Sequence, residues 1–297
     1  MKIKIENLYF KAILVALLIF FIAAMCYQKD VQQPSAKAEL YPGQATVLAL
    51  DAAHKYAREN LAPSNFSLKM ESTVTMKMFD NPKMEGVAKF TVRKPIVKGS
   101  IGSATAVKKV GYLLSAKHVA SDEEFVKNLK VLKEKTDKEN PGLFMKANID
   151  TQLTLTDQNG KQFMAVLIAC DDNELSLVRV KNLKGFTAKP IPISTEKDLS
   201  DKAVVVIGTP QGIENMIFDG RISKAGRIKT EDGTFMYVNA SINPGNSGGM
   251  LATLGDMKLV GVMSQVEINS NPPSLTDIGL FVPNDIINKF LDKAMPK

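Results

Sequence analysis

Three hydrophobic rhythms succeed one another along this chain. Residues Ala12 to Tyr27 (AILVALLIFFIAAMCY) carry no charge, and Leu8-Tyr9-Phe10 extends the apolar character past Lys11. Together they are just long enough to cross a hydrocarbon core of roughly 30 Å. Lys2, Lys4 and Lys11 precede the run, which predicts a cytoplasmic N-terminus and an exported remainder. An uncleaved signal anchor is favoured over a cleaved signal peptide and secreted product. The nearest small-x-small site, Ala36-Lys37-Ala38, lies far beyond the apolar segment, and Met25 before Cys26 fits a lipoprotein site poorly. Gln28 to Gly43 is polar and aperiodic with two prolines, and reads as a tether. A helical period follows over Gln44 to Leu61, with Val47, Leu50, Ala57 and Leu61 on one stripe that ends before Pro63. His54 falls on that stripe and reads as a structural residue facing a core.

From Phe66 the period shortens to two. Phe66–Met78, Gly86–Val92 and Gly102–Val107 alternate and are rich in β-branched residues. Gly111 to Val119 then gives a glycine turn and a short apolar strand with His118 at its end. Ser121-Asp122-Glu123-Glu124 is a capping box opening a lysine-rich amphipathic helix to about Thr136, with Phe125, Leu129 and Leu132 inward and Asn140-Pro141-Gly142 as its break. Strands return at Thr151–Thr156 and Phe163–Ala169, joined by the hairpin signal Asp157-Gln158-Asn159-Gly160, and at Glu174–Val180, which opens on an acid. Lys181 to Ile193, with Pro190 and Pro192, looks like a crossing between halves. The second half repeats the theme at Ala203–Ile207, Met216–Ile222, Arg227–Thr230, Phe235–Asn239, an apolar strand after Gly249, Lys258–Ser264 and Gly279–Val282. Asp232-Gly233 is a further hairpin turn. Pro283-Asn284 caps a closing helix from Asp285 to about Ala294. Two groups of about six short strands predict an all-β protein of paired antiparallel six-stranded barrels, with a C-terminal helix and an N-terminal membrane anchor.

Composition narrows the function classes. The chain has 297 residues, 45% hydrophobic and 23% charged, which is ordinary for a globular protein with room for one large or two small cores. The net charge of +7 is spread along the chain, consistent with solubility and attraction to anionic lipid headgroups rather than a nucleic-acid footprint. No zinc-finger spacing, Walker loop or GxGxxG occurs, so no metal or cofactor is expected. The two cysteines, Cys26 and Cys170, imply no disulfide framework, and the scarcity of histidine makes both histidines worth questioning.

The chemistry centres on Asn243-Pro244-Gly245-Asn246-Ser247-Gly248-Gly249. Proline without a donor and glycines that tolerate positive φ exclude helix or mid-sheet here, so backbone N–H groups are free to face an anion. A serine on such a turn is a candidate nucleophile beside an oxyanion hole, or else part of a plain hairpin loop. A histidine at a strand end and an acid at a later strand start supply what a nucleophile needs, in the order His118, Glu174, Ser247. That order and the double-barrel pattern match the chymotrypsin-type arrangement.

The local sequences resemble the HtrA/Deg family of trypsin-like serine proteases from about Gly102 to the C-terminal helix. Gly102-Ser103-Ala104 leading to Gly111–Val119 is similar to the family's histidine region, and Val204–Gly212 to its IGNPFG strand and loop. Ser241–Gly249 is similar to its nucleophile motif, and Ile278–Pro283 to its GFAIP entry to the last helix. The resemblance implies His118 as general base, Glu174 as the acid that orients it and Ser247 as nucleophile. Gly245 and Ser247 are implied to supply the oxyanion N–H groups. The family carries Asp where this chain has Glu174, longer by about 1.5 Å. Asp171 and Asp172 are the alternative acids, each at the cost of the strand register, and a chain with no working acid is a third case. Asn246 has no charge, so no ion pair to a newly cut N-terminus is expected to order the loop.

By the same resemblance Ser241 and Ile242 approach the base of the primary specificity pocket. No carboxylate stands there, which argues for a small or medium aliphatic residue before the scissile bond. Ser264, Gln265 and Val266 are the expected edge for substrate β-addition, with the Ser264 hydroxyl steadying Glu174. The expected organisation is a signal anchor at 1–27, a linker at 28–43, a helix at 44–65 and a trypsin-like domain at 66–297, with barrels at about 66–188 and 189–297. No room remains for a PDZ domain. The lysine-rich helix reads as a solvated cover over the barrel rather than a partner surface. The expected function is a membrane-tethered serine endopeptidase acting through an acyl-enzyme on exported or unfolded proteins, with the catalytic domain outside the cytoplasm. A catalytically inactive peptide-binding relative is the alternative, a cytoplasm-facing protease a third reading. The partners are protein or peptide substrates and the membrane, not nucleic acid; the sequence leaves the oligomeric state open.

Overall fold

The computed structural model describes residues 44–79, 90–91, 96–139, 144–210, 215–266 and 278–296. The signal anchor, the linker, most of the strand expected at Gly86–Val92 and the Asn140–Gly142 break lie outside them. Among the described residues no helix is long and apolar enough to cross a membrane. Two compact units divide after Ala52. Of the first, the described part is the opening of helix α1 (Gln44–Tyr56). The second begins at Ala53 and contains everything that follows.

The strands are β1 Asn65–Phe79, β2 Phe90–Thr91, β3 Ile96–Ala106, β4 Tyr112–Ala116, β5 Phe144–Thr156, β6 Gln162–Cys170 and β7 Leu175–Val180, then β8 Ala203–Gly208, β9 Met216–Thr230, β10 Gly233–Ala240, β11 Met250–Thr253, β12 Leu259–Val266 and β13 Ile278–Pro283. The first sheet runs β2-β1-β3-β4-β7-β6-β5 and closes on itself through β1–β5, leaving β2 appended outside a six-stranded antiparallel barrel. The second is a closed barrel in the order β10-β13-β12-β11-β8-β9. The paired six-stranded barrels read from the alternation are therefore present.

β1 shows why this sequence makes a barrel wall. Phe66, Leu68, Met70 and Val74 are all buried, while Lys69 and Glu71 between them face outward and pair at 2.9 Å. Ser72, on the buried face, is satisfied by the Thr151 hydroxyl at 2.9 Å. Phe66, Phe163 and Phe186 close the core of the first barrel, Phe66 stacked on Phe186 at 5.2 Å and Phe163 edge-on to it at 5.1 Å. A second apolar cluster fills the other barrel around Val204, Val206, Val238 and Phe281. A third lies between the barrels, where Leu114, Leu175 and Leu177 meet Val205, Ile207 and Met250.

Several boundaries moved for physical reasons. The strands expected at Met216–Ile222 and Arg227–Thr230 are one strand, β9, which bends where Gly226 takes φ +78° and where the register to β10 shifts between Met236 and Val238. The lysine-rich helix, α3 (Glu123–Glu139), runs a turn further than expected because Lys133–Asp137 and Lys135–Glu139 pair at i,i+4 spacing. Leu129 is buried as expected, but Leu132 is 43% exposed and not inward. His54 also departs from expectation. It is half-buried and pairs with Asp219 on β9 at 2.5 Å instead of entering the core. Helix α4 (Asn284–Ala294) closes the chain, with Ile287, Phe290 and Leu291 packed inward.

Candidate active site

His118 does not end a strand. β4 stops at Ala116, and His118 sits in the first turn of a short helix, α2 (Lys117–Ala120). Its Nδ1 lies 2.8 Å from Glu174 Oε2, and its backbone N–H makes a longer approach of 3.4 Å to the same oxygen. An ionised carboxylate can only accept, so the ring proton belongs on Nδ1 and leaves Nε2 with a lone pair. Glu174 precedes β7 and does not begin it, because φ +58° places it in the left-handed region that non-glycine strand residues avoid. Its carbonyl accepts from Lys117 N–H at 2.9 Å, so acid and histidine segments are joined by backbone as well as side chain. The Glu174 side chain is only 13% exposed, against 41% for His118: the acid is covered and the imidazole is open.

Asp171 has another task. Its Oδ1 accepts from the N–H of Asn173 (2.9 Å) and of Leu175 (3.1 Å), and its Oδ2 from the Asn173 amide (3.2 Å). The carboxylate braces the turn that carries Glu174, and Asp172 is exposed. Neither alternative acid reaches the histidine.

The serine loop is built from glycines for steric reasons. Gly245 and Gly248 hold φ of +103° and +86°. A Cβ on Gly248 would lie 2.0 Å from the Ser103 carbonyl oxygen and 2.4 Å from the Ser115 hydroxyl. Ser103, which the sequence places only in the histidine region, links that loop to the first barrel. It donates its N–H to the Ser247 carbonyl (2.7 Å) and its hydroxyl to the Gly245 carbonyl (2.8 Å), and its hydroxyl accepts from Thr209 N–H (2.9 Å). This buried serine on the first barrel thus pins the nucleophile loop of the second. Gly102 and Ser103 are two small residues that open the buried end of β3. Gly102 is needed because a Cβ would press on Val119 at 2.6 Å and on the Ser247 carbonyl at 2.7 Å.

Ser103 fixes the Gly245 and Ser247 carbonyls, and with them the peptide planes that follow these two residues, while neither Gly245 nor Ser247 N–H donates to an acceptor among the described residues. Such a pair can meet an oxyanion. The Ser247 hydroxyl donates to the Ser264 carbonyl at 2.8 Å, not to His118. The Ser264 hydroxyl, expected beside Glu174, is buried with no hydrogen-bond partner among the described residues. The Asn246 amide is likewise buried, with neither end hydrogen-bonded among the described residues. Ile242 is 9% exposed and belongs to the second barrel's core, its Cγ1 2.7 Å from where a Cβ on Gly279 would sit. Ser241 beside it is exposed. Gln265 and Val266 end β12 opposite Leu280 and Gly279 of β13. Among the described residues no group of three or more His, Cys, Asp or Glu is placed to hold a metal ion.

Residues 102–262, from the glycine beneath the serine to the middle of β12, match the family described as trypsin-like peptidase domain. The chain belongs to that family. This trypsin-like chain is 25% identical over 242 residues to the serine endoprotease DegS of Salmonella typhimurium (strain 14028s / SGSC 2262), covering 80% of this chain and 58% of the relative. With DegS of Escherichia coli K12 it shares 27% over 201 residues, 66% of this chain and 48% of the other. With a probable periplasmic serine endoprotease, DegP-like, of Marinomonas sp. (strain MWYL1), it shares 24% over 262 residues, 79% and 48% of the two chains. It therefore spans about half the length of these relatives. Among solved structures, an HtrA-type protease AlgW with decapeptide superimposes with a TM-score of 0.55 at 20% identity, covering 81% of this chain and 67% of the other, which shows a shared fold.

Proposed function

We propose that this trypsin-like chain is a serine endopeptidase working through a His118–Glu174–Ser247 triad. The observation that carries the reading is the 2.8 Å contact from His118 Nδ1 to a covered Glu174 carboxylate, beside a serine whose loop is fixed by glycines. With its proton held on Nδ1, His118 Nε2 can take the Ser247 hydroxyl proton. The serine oxygen then bonds the scissile carbonyl carbon, and the N–H groups of Gly245 and Ser247 receive the developing oxyanion. The C–N bond breaks as His118 returns the proton to the leaving amine. Water, activated by the same imidazole, then hydrolyses the acyl-serine.

The Ser247 hydroxyl must first leave the Ser264 carbonyl, to which it now donates. A peptide strand adding to Ser264, Gln265 and Val266 offers its own N–H to that carbonyl, and substrate binding thereby frees the nucleophile. Ser241 and Ile242 bring no carboxylate, which supports a small or medium aliphatic residue before the scissile bond.

The protease domain is tethered by the apolar 1–27 segment through the 28–43 linker, faces away from the cytoplasm and acts on flexible segments of exported proteins. The lysines before Ala12 support that orientation, and one relative is named as periplasmic. A fluorophosphonate probe tests the chemistry. The folded full chain should label covalently and the Ser247→Ala variant should not; peptide binding by folded protein without labelling would show the inactive alternative instead.

A further inference from the structure

Glu174 holds φ +58°, a conformation that a non-glycine residue keeps only when its surroundings over-determine it. Within the first barrel the Asp171 carboxylate binds the N–H groups on either side of Glu174, those of Asn173 and Leu175. The second barrel adds a contact of its own. The β9–β10 turn brings Gly233 against the acid loop so closely that a Cβ there would lie 2.5 Å from Asn173 Cα and 3.0 Å from the Asp172 carbonyl oxygen. Gly233 also takes φ +133°, which favours glycine. Thr234 N–H donates to Asn173 Oδ1 at 3.3 Å, and the other end of that amide donates to Asp171 Oδ2 at 3.2 Å. A continuous chain of contacts thus leads from the turn of one barrel to the acid of the other.

We propose that Asn173 and Gly233 are positioning residues through which the β9–β10 turn of the second barrel holds the triad acid of the first. The proposal rests on the triad reading above. The left-handed backbone accommodates the extra methylene of Glu174, so that its carboxylate meets Nδ1 instead of overshooting it. The turn and the Asp171 brace together keep the backbone there. What they control is the tautomer of His118. With the carboxylate in place the proton resides on Nδ1, and without it a neutral imidazole favours Nε2–H and has no lone pair for Ser247. Any partner that lifts the Glu231-Asp232 tip would switch the base off without touching the cleft.

Imidazole ¹⁵N NMR on the full chain labelled at histidine reads this directly, because the sequence holds only two histidines and His54→Gln assigns the other. At pH 9, where imidazole is neutral, wild type should show the Nδ1–H form of His118 and Glu174→Ala the Nε2–H form. Asn173→Ala and Gly233→Ala should fall between them, with kcat reduced at least about tenfold and KM within about twofold, as expected for a misplaced catalytic group. Wild-type tautomer ratios in both folded variants, alongside a shifted Glu174→Ala, would overturn the proposal and leave the triad standing. If Glu174→Ala itself changes nothing, the triad reading fails and the proposal with it. Should Gly233→Ala not fold, the Asn173→Ala spectrum decides alone.

Discussion

A single methylene separates Glu174 from the aspartate of the HtrA-type motif, and the proposed triad depends on how that extra length is accommodated. Its carboxylate reaches Nδ1 at 2.8 Å from a left-handed backbone. Shortening it to aspartate withdraws the oxygen by about 1.5 Å. Glu174→Asp is therefore expected to lower kcat roughly 10²-fold, the scale of a small misplacement, and Glu174→Gln about 10⁴-fold through the wrong tautomer. Steady-state kinetics on both variants check the order; a more active Asp variant would mean that the backbone relaxes freely. Cys170 gives a second prediction at this scale. Burial pushes its thiol up from 9.0 to about 11, Glu123 adds to the rise, and Ser121 and Lys117 oppose it. The folded chain should resist alkylation at Cys170 at pH 8 and react once unfolded, with Cys26 replaced by serine to leave one thiol. The sign for stability follows. The folded state keeps the proton longer, so the contribution is intact below 9.0 and is lost as pH rises towards about 11.

Helix α4 is held at its first turn by one buried amide. Asn284 donates to the carbonyls of Ser194 (2.9 Å) and Glu196 (2.8 Å), just after the crossing segment, and its oxygen accepts from Asp285 N–H (3.0 Å). Asn284→Ala leaves two carbonyls without that donor and should destabilise by about 1–3 kcal/mol, measured by urea unfolding. The neighbouring Arg227–Asp285 pair bridges β9 to the same helix through bonds of 2.8 and 3.1 Å. Burial works to raise the Asp285 carboxyl, but Arg227 outweighs it and holds the group below its usual range. Both side chains are well exposed, so Asp285→Asn should cost at most about 1 kcal/mol. That contribution is present above the ordinary carboxylate pKa and fades as pH falls through the lowered one.

At the scale of the molecule, the proposed triad draws on both barrels. Each contributes what the other lacks: the first carries His118 and Glu174, the second Ser247. Ser103 and Thr209 join them, with Thr209 Oγ1 donating to the Gly102 carbonyl at 2.9 Å. Ser103→Ala removes the donor to the Gly245 carbonyl and orphans the buried Thr209 N–H. It should cost about 1–3 kcal/mol of stability and lower kcat with it, since the same hydroxyl holds the Gly245–Asn246 peptide that links the two N–H groups of the proposed oxyanion hole. Unfolding curves and kinetics on one preparation test the joint loss; lost stability at full kcat would detach Ser103 from the oxyanion geometry.

The chain's alternation determined by itself that two antiparallel barrels would form, because a period of two with apolar inward faces has few other ways to bury itself. It also determined the chemical types, a histidine, an acid and a glycine-flanked serine in that order, because a nucleophile at neutral pH needs a base and the turn needs residues without Cβ. Tertiary structure decided which atoms meet. Glu174 prevailed over Asp171 because a left-handed residue and a braced turn, neither visible in alternation, aim one carboxylate at Nδ1 and occupy the other. Ser264 gives its carbonyl to Ser247 rather than its hydroxyl to Glu174, and Ile242 packs into the core of the second barrel. Both outcomes depend on side-chain direction. Ser103 and Gly233 read locally as part of a strand and of a hairpin turn, because what they do depends on what stands across the barrel interface, and no local pattern records so distant a neighbour.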